Sequence, residues 1–213
     1  MTNFIPIFPL GLVVYPGEDL NLHIFEPRYK QLLRECISDA KPFGIPTLIN
    51  NKMCELGTLV KVVDLVKTYD NGEMDIRTRG QMVFRVVEVI KHVPDKLYSG
   101  AIVNYPHNNE EGSRELMQKV MNGIRELHKL LNISKTFQKS DEELNSYDVA
   151  HHVGFSVEEE YELLGLMMEL QRQEYIKRHL GKVMPVIAEM ETLKKKVKLN
   201  GHFKNLISFD FDL

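Results

Sequence analysis

Apolar and polar residues change rhythm once along this chain, near residue 106. Before it the period is close to two. Leu20, Leu22 and Ile24 alternate with Asn21, His23 and Phe25, the spacing of a strand with one buried face. Met74, Ile76 and Thr78 alternate with Asp75, Arg77 and Arg79 in the same way. Further apolar runs at residues 12–15, 42–49, 56–69, 83–93 and 101–105 carry strand propensity. Pro16-Gly17 marks a turn, and Asn71-Gly72 is the strongest short hairpin signal, because both residues tolerate positive φ. One helix interrupts this region. Glu26 leads into Pro27, and proline suits a first helical position because its missing N–H would be unpaired there anyway. Tyr29, Leu32, Leu33, Cys36, Ile37 and Ala40 then fall on one helical face. Short strands at close spacing around a single helix predict a closed or partly closed antiparallel barrel.

Residues 106–112, PHNNEEG, read as a polar linker, and the pattern after them is helical. Ser113 can cap a helix with Leu116, Val120, Ile124, Leu127 and Leu131 on its apolar face. Ser140 with Glu143 and Ser156 with Glu159 match the capping box, in which two orphan N–H groups are satisfied reciprocally. Gly154 can end the helix between them at Val153. The last helix is the longest, with a seam of Ile176, Leu180, Val183, Ile187, Met190, Leu193 and Val197. Pro185 should kink it, Lys194, Lys195 and Lys196 complement its negative end, and Asn200-Gly201 should stop it. In the tail, Ile207, Phe209, Phe211 and Leu213 alternate with Ser208, Asp210 and Asp212, a strand pattern. It either docks on its own domain or adds to a sheet edge of another molecule, which would make the protein a homo-oligomer. The expected parts are therefore a β-rich unit at 1–106, a helical bundle at 112–200 and a strand-like tail at 201–213.

A length of 213 residues, 43% hydrophobic and 27% charged, is that of an ordinary globular chain with a real core. The formal charge of −3 gives no global attraction to polyphosphate or anionic lipid. Two cysteines make no disulfide framework and fit a reducing compartment. No apolar run approaches the roughly 20 residues that span a bilayer. The N-terminus lacks the basic residues of a signal peptide. The expected location is the cytoplasm, away from membranes.

The order strand, Pro-Gly turn, LNLHIFEPRY and amphipathic helix, within residues 8–33, resembles the start of the N-terminal domain of the Lon protease family. That module is shared with stand-alone Lon-domain proteins and with cereblon, and the likeness continues in pattern to about Lys196. It implies an α+β fold: a PUA-like antiparallel pseudobarrel with one inserted helix, followed by a helical bundle with a long last helix. It also implies a domain that recognises substrates or protein partners.

Chemistry is sparse. The phosphate loop of an ATPase needs Gly-x-x-x-x-Gly-Lys-Ser/Thr, but Gly181-Lys182 is followed by Val183, and Tyr175 stands where the first glycine belongs. No length remains for a Ser-Lys peptidase. His151 and His152 are adjacent and would point about 100° apart on a helix, so no metal set forms, and no Cys-x-x-Cys is present. No catalytic residue, metal or cofactor is expected, and the protein is read as a non-enzyme that binds polypeptide. The alternative is an RNA-binding PUA-like module, with Arg77, Arg79 and Arg85 as a basic stripe, although the interleaved aromatics of a stacking platform are missing. An enzyme with an unfamiliar cleft is a third reading. The candidate partner-binding residues are Phe25, Arg28 and Tyr29 in the Lon-like segment, Met167 and Met168 in the helical half, and Phe209 and Phe211 in the tail. The other methionines of the helical half, among them Met117, Met121, Met184 and Met190, could add adaptable apolar surface or simply fill the core.

Overall fold

The computed structural model describes residues 3–204, so the tail with Phe209 and Phe211 lies outside the described residues. The β-rich part contains β1 (Asn3–Pro6), β2 (Asp19–Ile24), β3 (Phe43–Ile49), β4 (Lys52–Thr68), β5 (Met74–Ile90) and β6 (Gly100–Asn104), with helix α1 (Pro27–Ser38) between β2 and β3. The strand order is β1-β6-β5-β4-β3, and β2 pairs separately with β5. All of these pairings are antiparallel. The sheet closes through the segment after β1. Phe8 N–H donates to the Gly44 carbonyl at 2.8 Å and Leu48 N–H to the Leu10 carbonyl at 2.7 Å, so the first segment bridges from the β6 edge to β3. The result is the expected antiparallel pseudobarrel.

Most of the local signals operate as their chemistry requires. Gly72 has φ of 77° in the β4–β5 hairpin, and its N–H donates to the Tyr69 carbonyl. Met74, Ile76 and Thr78 are buried on the inner face of β5. Pro27 opens α1, whose buried residues are Tyr29, Leu32, Leu33 and Cys36. Ala40 departs from the expected apolar face. The helix ends at Ser38, and Ala40 is exposed with φ of 53°, turning the chain into β3.

Residues 12–15 also differ from expectation, because they form no strand. They are buried without a ladder, and their side chains alternate between two cores. Val14 packs with α1 and the barrel interior, while Val13 and Tyr15 pack with the helices. The backbone is held from the side: Thr58 donates its hydroxyl to the Val14 carbonyl, and Gly17 and Gly80 exchange contacts with this turn through Gly17 N–H to the Gly80 carbonyl and Gly80 N–H to the Glu18 carbonyl. A Cβ at Gly80 would collide with the Tyr15 carbonyl.

The helices are α2 (Arg114–Leu130), α3 (Ser146–Val149), a 3-10 turn (Ala150–His152), α4 (Val157–Gly165) and α5 (Glu169–Lys204). Ser113 caps α2 by accepting from Leu116 N–H, and Ser156 with Glu159 forms the expected capping box of α4. Ser140 and Glu143 do not start a helix. Their contact closes one turn, and α3 begins after Asn145, whose own capping box is with Asp148. The cause is tertiary: the buried Glu169 carboxylate accepts the Ser146 N–H at 2.8 Å and fixes the helix start there. The helical core also takes Leu56, Val83, Val13 and Tyr15 from the barrel, so the two parts share one core.

The long last helix continues through Pro185 and through Asn200-Gly201, which does not stop it. A single glycine costs a helix only about 1 kcal/mol. Its expected seam is buried at Ile176 and Leu180 and half-buried at Val183 and Ile187, but Met190, Leu193 and Val197 are exposed. Among the described residues nothing packs on those three. Of the methionines, Met117 and Met121 are core, whereas Met168 and Met190 are exposed.

Replacing Gly80 by alanine should therefore cost about 2–3 kcal/mol, the upper part of the range for overpacking, because the colliding atom is backbone and cannot rotate away. A urea unfolding midpoint lower than wild type with an unchanged m-value checks this.

Candidate recognition cleft

The helices reach the barrel through a stack of side chains. Tyr15 lies against Tyr147 with ring centroids 5.2 Å apart, and the Arg172 guanidinium covers the Tyr147 ring at 4.1 Å. Arg172 is only 1% exposed. Burying its charge is tolerable because it is fully engaged. It pairs with Glu169 at 2.9 Å and donates to Ser146 Oγ at 2.9 Å, Asn108 Oδ1 at 2.7 Å and the Leu166 carbonyl at 2.7 Å. Asn109 and Met167–Glu169 exchange backbone hydrogen bonds, so the stretch read as a free linker is pinned to the start of α5. Sequence reasoning missed this group. The signal was present in Glu169-Leu-Gln-Arg172, a carboxylate and a cation one turn apart at a helix start, beside two asparagines in an otherwise polar loop.

A second clasp lies next to it. His151 Nδ1 is 2.6 Å from Glu160 Oε1, and His151 Nε2 is 3.1 Å from Glu18 Oε2, so one imidazole joins α4 to the barrel turn. Its ring lies 4.9 Å from Tyr15, whose hydroxyl donates to the Glu160 carbonyl. Burial favours the neutral ring, but the hydrogen bonds and charges of Glu160 and Glu18 outweigh it and raise the pKa to about 9.

On the far side of the 3-10 turn, the end of α2 and the middle of α5 leave an open cleft of about 330 Å3. Its lining includes the aliphatic Leu127, Leu131, Ile133, Val183 and Ile187 together with His128, Lys135, His151 and His152. Leu131 and Ile133, on its lining, are 42% and 44% exposed. Burial, together with the positive charges of Lys135, His128 and His151, holds the His152 pKa down at about 4. The ring is neutral at pH 7, and Phe137 packs edge-on against it at 4.9 Å. The cleft thus has aliphatic walls and a neutral His152, with Lys135 and His151 also on its lining. A wider concavity of about 590 Å3 between α2 and the 141–145 turn is lined by Glu110, Asp141, Glu142, Glu143 and Glu169, and such a carboxylate-rich wall does not suit apolar side chains.

Of the residues chosen from sequence, those that are described lie in separate places. Phe25 is 58% exposed at the end of β2, stacked on His23. Arg28 pairs with Glu26 at 2.7 Å and covers the Tyr29 ring, while Tyr29 is buried against Phe8 in the barrel core. Met167 is half-buried at the helical core and Met168 exposed beside the pinned loop. The arginines of the proposed basic stripe are each paired: Arg77 with Asp64, Arg79 with Asp19 and Arg85 with Glu55. Among the described residues no group of three metal-ligating side chains converges, and no helix is long and apolar enough to cross a membrane.

Residues 5–180 match the family described as the ATP-dependent protease La (LON) substrate-binding domain. The chain belongs to that family. Solved structures agree in fold. A Lon N-terminal domain protein from Xanthomonas campestris is 24% identical, with a TM-score of 0.61 over 81% of this chain and 95% of its own. The N-terminal domain of Mycobacterium avium complex Lon protease is 11% identical, with a TM-score of 0.61 over 84% of this chain and 98% of its own. The matched span of this Lon-type domain contains the barrel, the Arg172 group and one wall of the cleft. It ends before the outer half of α5.

Two outcomes follow from the charged groups. Glu169→Gln leaves Arg172 buried without its counter-charge and should lower stability by about 3 kcal/mol or more, measured by chemical denaturation. For His151, the folded pKa lies above the ordinary value, so its contribution is complete below about pH 6.5 and is lost as pH rises through about 9. The thermal midpoint of the wild type should fall more steeply from pH 7 to beyond 9 than that of His151→Gln.

Proposed function

We propose that this Lon-type domain is a non-catalytic recognition module that binds polypeptide in the cleft between the end of α2, the 3-10 turn and α5, and leaves it chemically unaltered. The observation that carries the reading is the open aliphatic-lined cleft itself, with Leu131 and Ile133 exposed on its lining. A groove walled by aliphatic residues accepts apolar side chains of an unfolded chain through burial, at about 25 cal/mol per Å2. Membership of a substrate-binding family supports it. So does the lack of a phosphate loop, since Gly181-Lys182 lies inside α5. The two cysteines are free, Cys36 buried and Cys54 half-exposed, as a reducing cytoplasm would leave them. The pairing of Arg77, Arg79 and Arg85 with carboxylates weighs against the basic stripe of the RNA reading.

The test is binding of a fluorescently labelled, permanently unfolded model protein, followed by anisotropy. Ile187→Asp and Leu131→Asp should each weaken binding about tenfold or more, because about 1.4 kcal/mol of apolar contact is exchanged for a charge. Phe25→Asp should leave binding unchanged, as should raising the salt concentration. Loss of binding in Phe25→Asp with retention in Ile187→Asp would move the site to the β2–α1 corner.

A further inference from the structure

The cleft between the end of α2 and α5 differs in charge from the other hollows of the molecule. Among the described residues no aspartate or glutamate lines it. The hollow between α2 and the 141–145 turn is rich in carboxylates, and those beside α1 and α4 carry Asp64, Glu35 and Glu158. Of the cations on the cleft lining, His151 already holds Glu18 and Glu160. Lys135 is exposed and has no carboxylate partner among the described residues. The charges that act on His152, from Lys135, His128 and His151, are all positive. Aromatic rings also meet here: His152 takes Phe137 edge-on at 4.9 Å and His128 at 5.9 Å. Such a hollow suits apolar side chains, aromatic ones included, on a segment that brings its own negative charge.

The chain carries such a segment outside the described residues. In residues 205–213, Ile207, Phe209, Phe211 and Leu213 alternate with Ser208, Asp210 and Asp212, and no cation is present. An extended segment of that pattern puts its apolar side chains on one face and both aspartates on the other. We infer that the tail of a second copy of the chain lies extended in this cleft, with Phe209 and Phe211 against the aliphatic and aromatic lining and an aspartate at Lys135. The cleft is that of the proposed polypeptide recognition, on which this assignment rests, and a seated tail competes with clients for it. Chain length selects the second copy. Helix α5 carries Ile187 on the cleft lining and runs 17 residues further, to Lys204. That is about 26 Å at about 1.5 Å per residue. A tail turning back at Lys204 would bring the Phe209 backbone at most about 18 Å along the same path, and that of Phe211 about 25 Å. Phe209 therefore stops short of its own cleft, and Phe211 arrives only with every residue between taut. The tail of another molecule has no such tether. The charge pair at the exposed Lys135 orients the segment and adds little affinity, so the contact depends on concentration.

Sedimentation velocity of full-length chains, from low micromolar to several hundred micromolar, tests this. The wild type should associate reversibly as concentration rises. Phe209→Ser/Phe211→Ser keeps the cleft and loses the tail, whereas Leu131→Asp, a change at an exposed position, keeps the tail and loses the cleft. Each should be monomeric alone, with an unchanged fold by circular dichroism, and the two should associate when mixed. Adding Lys135→Glu to the cleft donor should weaken the mixed association about threefold or more, and Asp210→Lys/Asp212→Lys in the tail donor should restore it. A wild type or a mixture that stays monomeric overturns the assignment, whether or not the cleft binds the unfolded model protein. So does self-association of Leu131→Asp equal to that of the wild type. Tighter client binding by Phe209→Ser/Phe211→Ser, with a mixture that stays monomeric, assigns the cleft to the molecule's own tail and overturns the second copy. Association on mixing without any client binding keeps the tail in the cleft and overturns the recognition of clients instead.

Discussion

A single buried cation governs how this molecule is put together. Arg172 belongs to the longest helix, yet its guanidinium lies against Tyr147, which in turn lies against Tyr15 of the barrel. A charge removed from water must find partners for its donors, and each partner it finds here comes from a different place: Ser146 at the start of α3, Asn108 in the connecting loop, Leu166 at the end of α4, and Glu169 one turn away. The requirement to satisfy one group thus sets the start of α3, the end of α4 and the path of the loop together. Moving any of these elements would strand a buried donor or acceptor.

That constraint explains which parts of the architecture were legible in the sequence. Strands alternating through Ile24 and through Met74, Ile76 and Thr78, the Asn71-Gly72 hairpin and the Pro27 helix start are local, period-driven features, and they stand as the pattern implies. So does the family likeness in the LNLHIFEPRY segment. The failures are tertiary. Ser140 and Glu143 carry a sound capping signal, but Glu169 from another helix takes the Ser146 amide and sets the start elsewhere. Residues 12–15 have strand propensity but separate two cores, so their alternation is real while the ladder is missing. Asn200-Gly201 weakens the last helix by an amount too small to break it.

The residues of the proposed cleft were harder to find for a physical reason. Tyr29 and Arg28 belong to the segment most characteristic of the family, and they serve packing and helix entry. The residues that form the cleft come from the end of one helix, a short irregular stretch and the middle of another, spread between Leu127 and Ile187 in the chain. No local motif brings Leu131, His152 and Ile187 together; the packing of α2 along α5 through Val120, Ile124, Ile176 and Leu180 does, with the start of α3 held to α5 by the Arg172 group. His151 and His152 show the same point. As neighbours they looked uninformative, yet one joins two carboxylates at the barrel contact while the other is held neutral beside the aliphatic lining of the cleft.

The molecule is a β pseudobarrel carrying a helical layer, with the aliphatic cleft between the end of α2 and the middle of α5. The proposed recognition chemistry is burial, without covalent change. Hydrogen–deuterium exchange of the full chain, with and without an unfolded client polypeptide at saturation, tests this most directly. Client binding should slow exchange at the end of α2, through residues 131–133 and along residues 180–190, while β2 and the start of α1 are unaffected. Protection confined to β2 and α1, with the end of α2 and the middle of α5 exchanging at their free rates, would contradict the account.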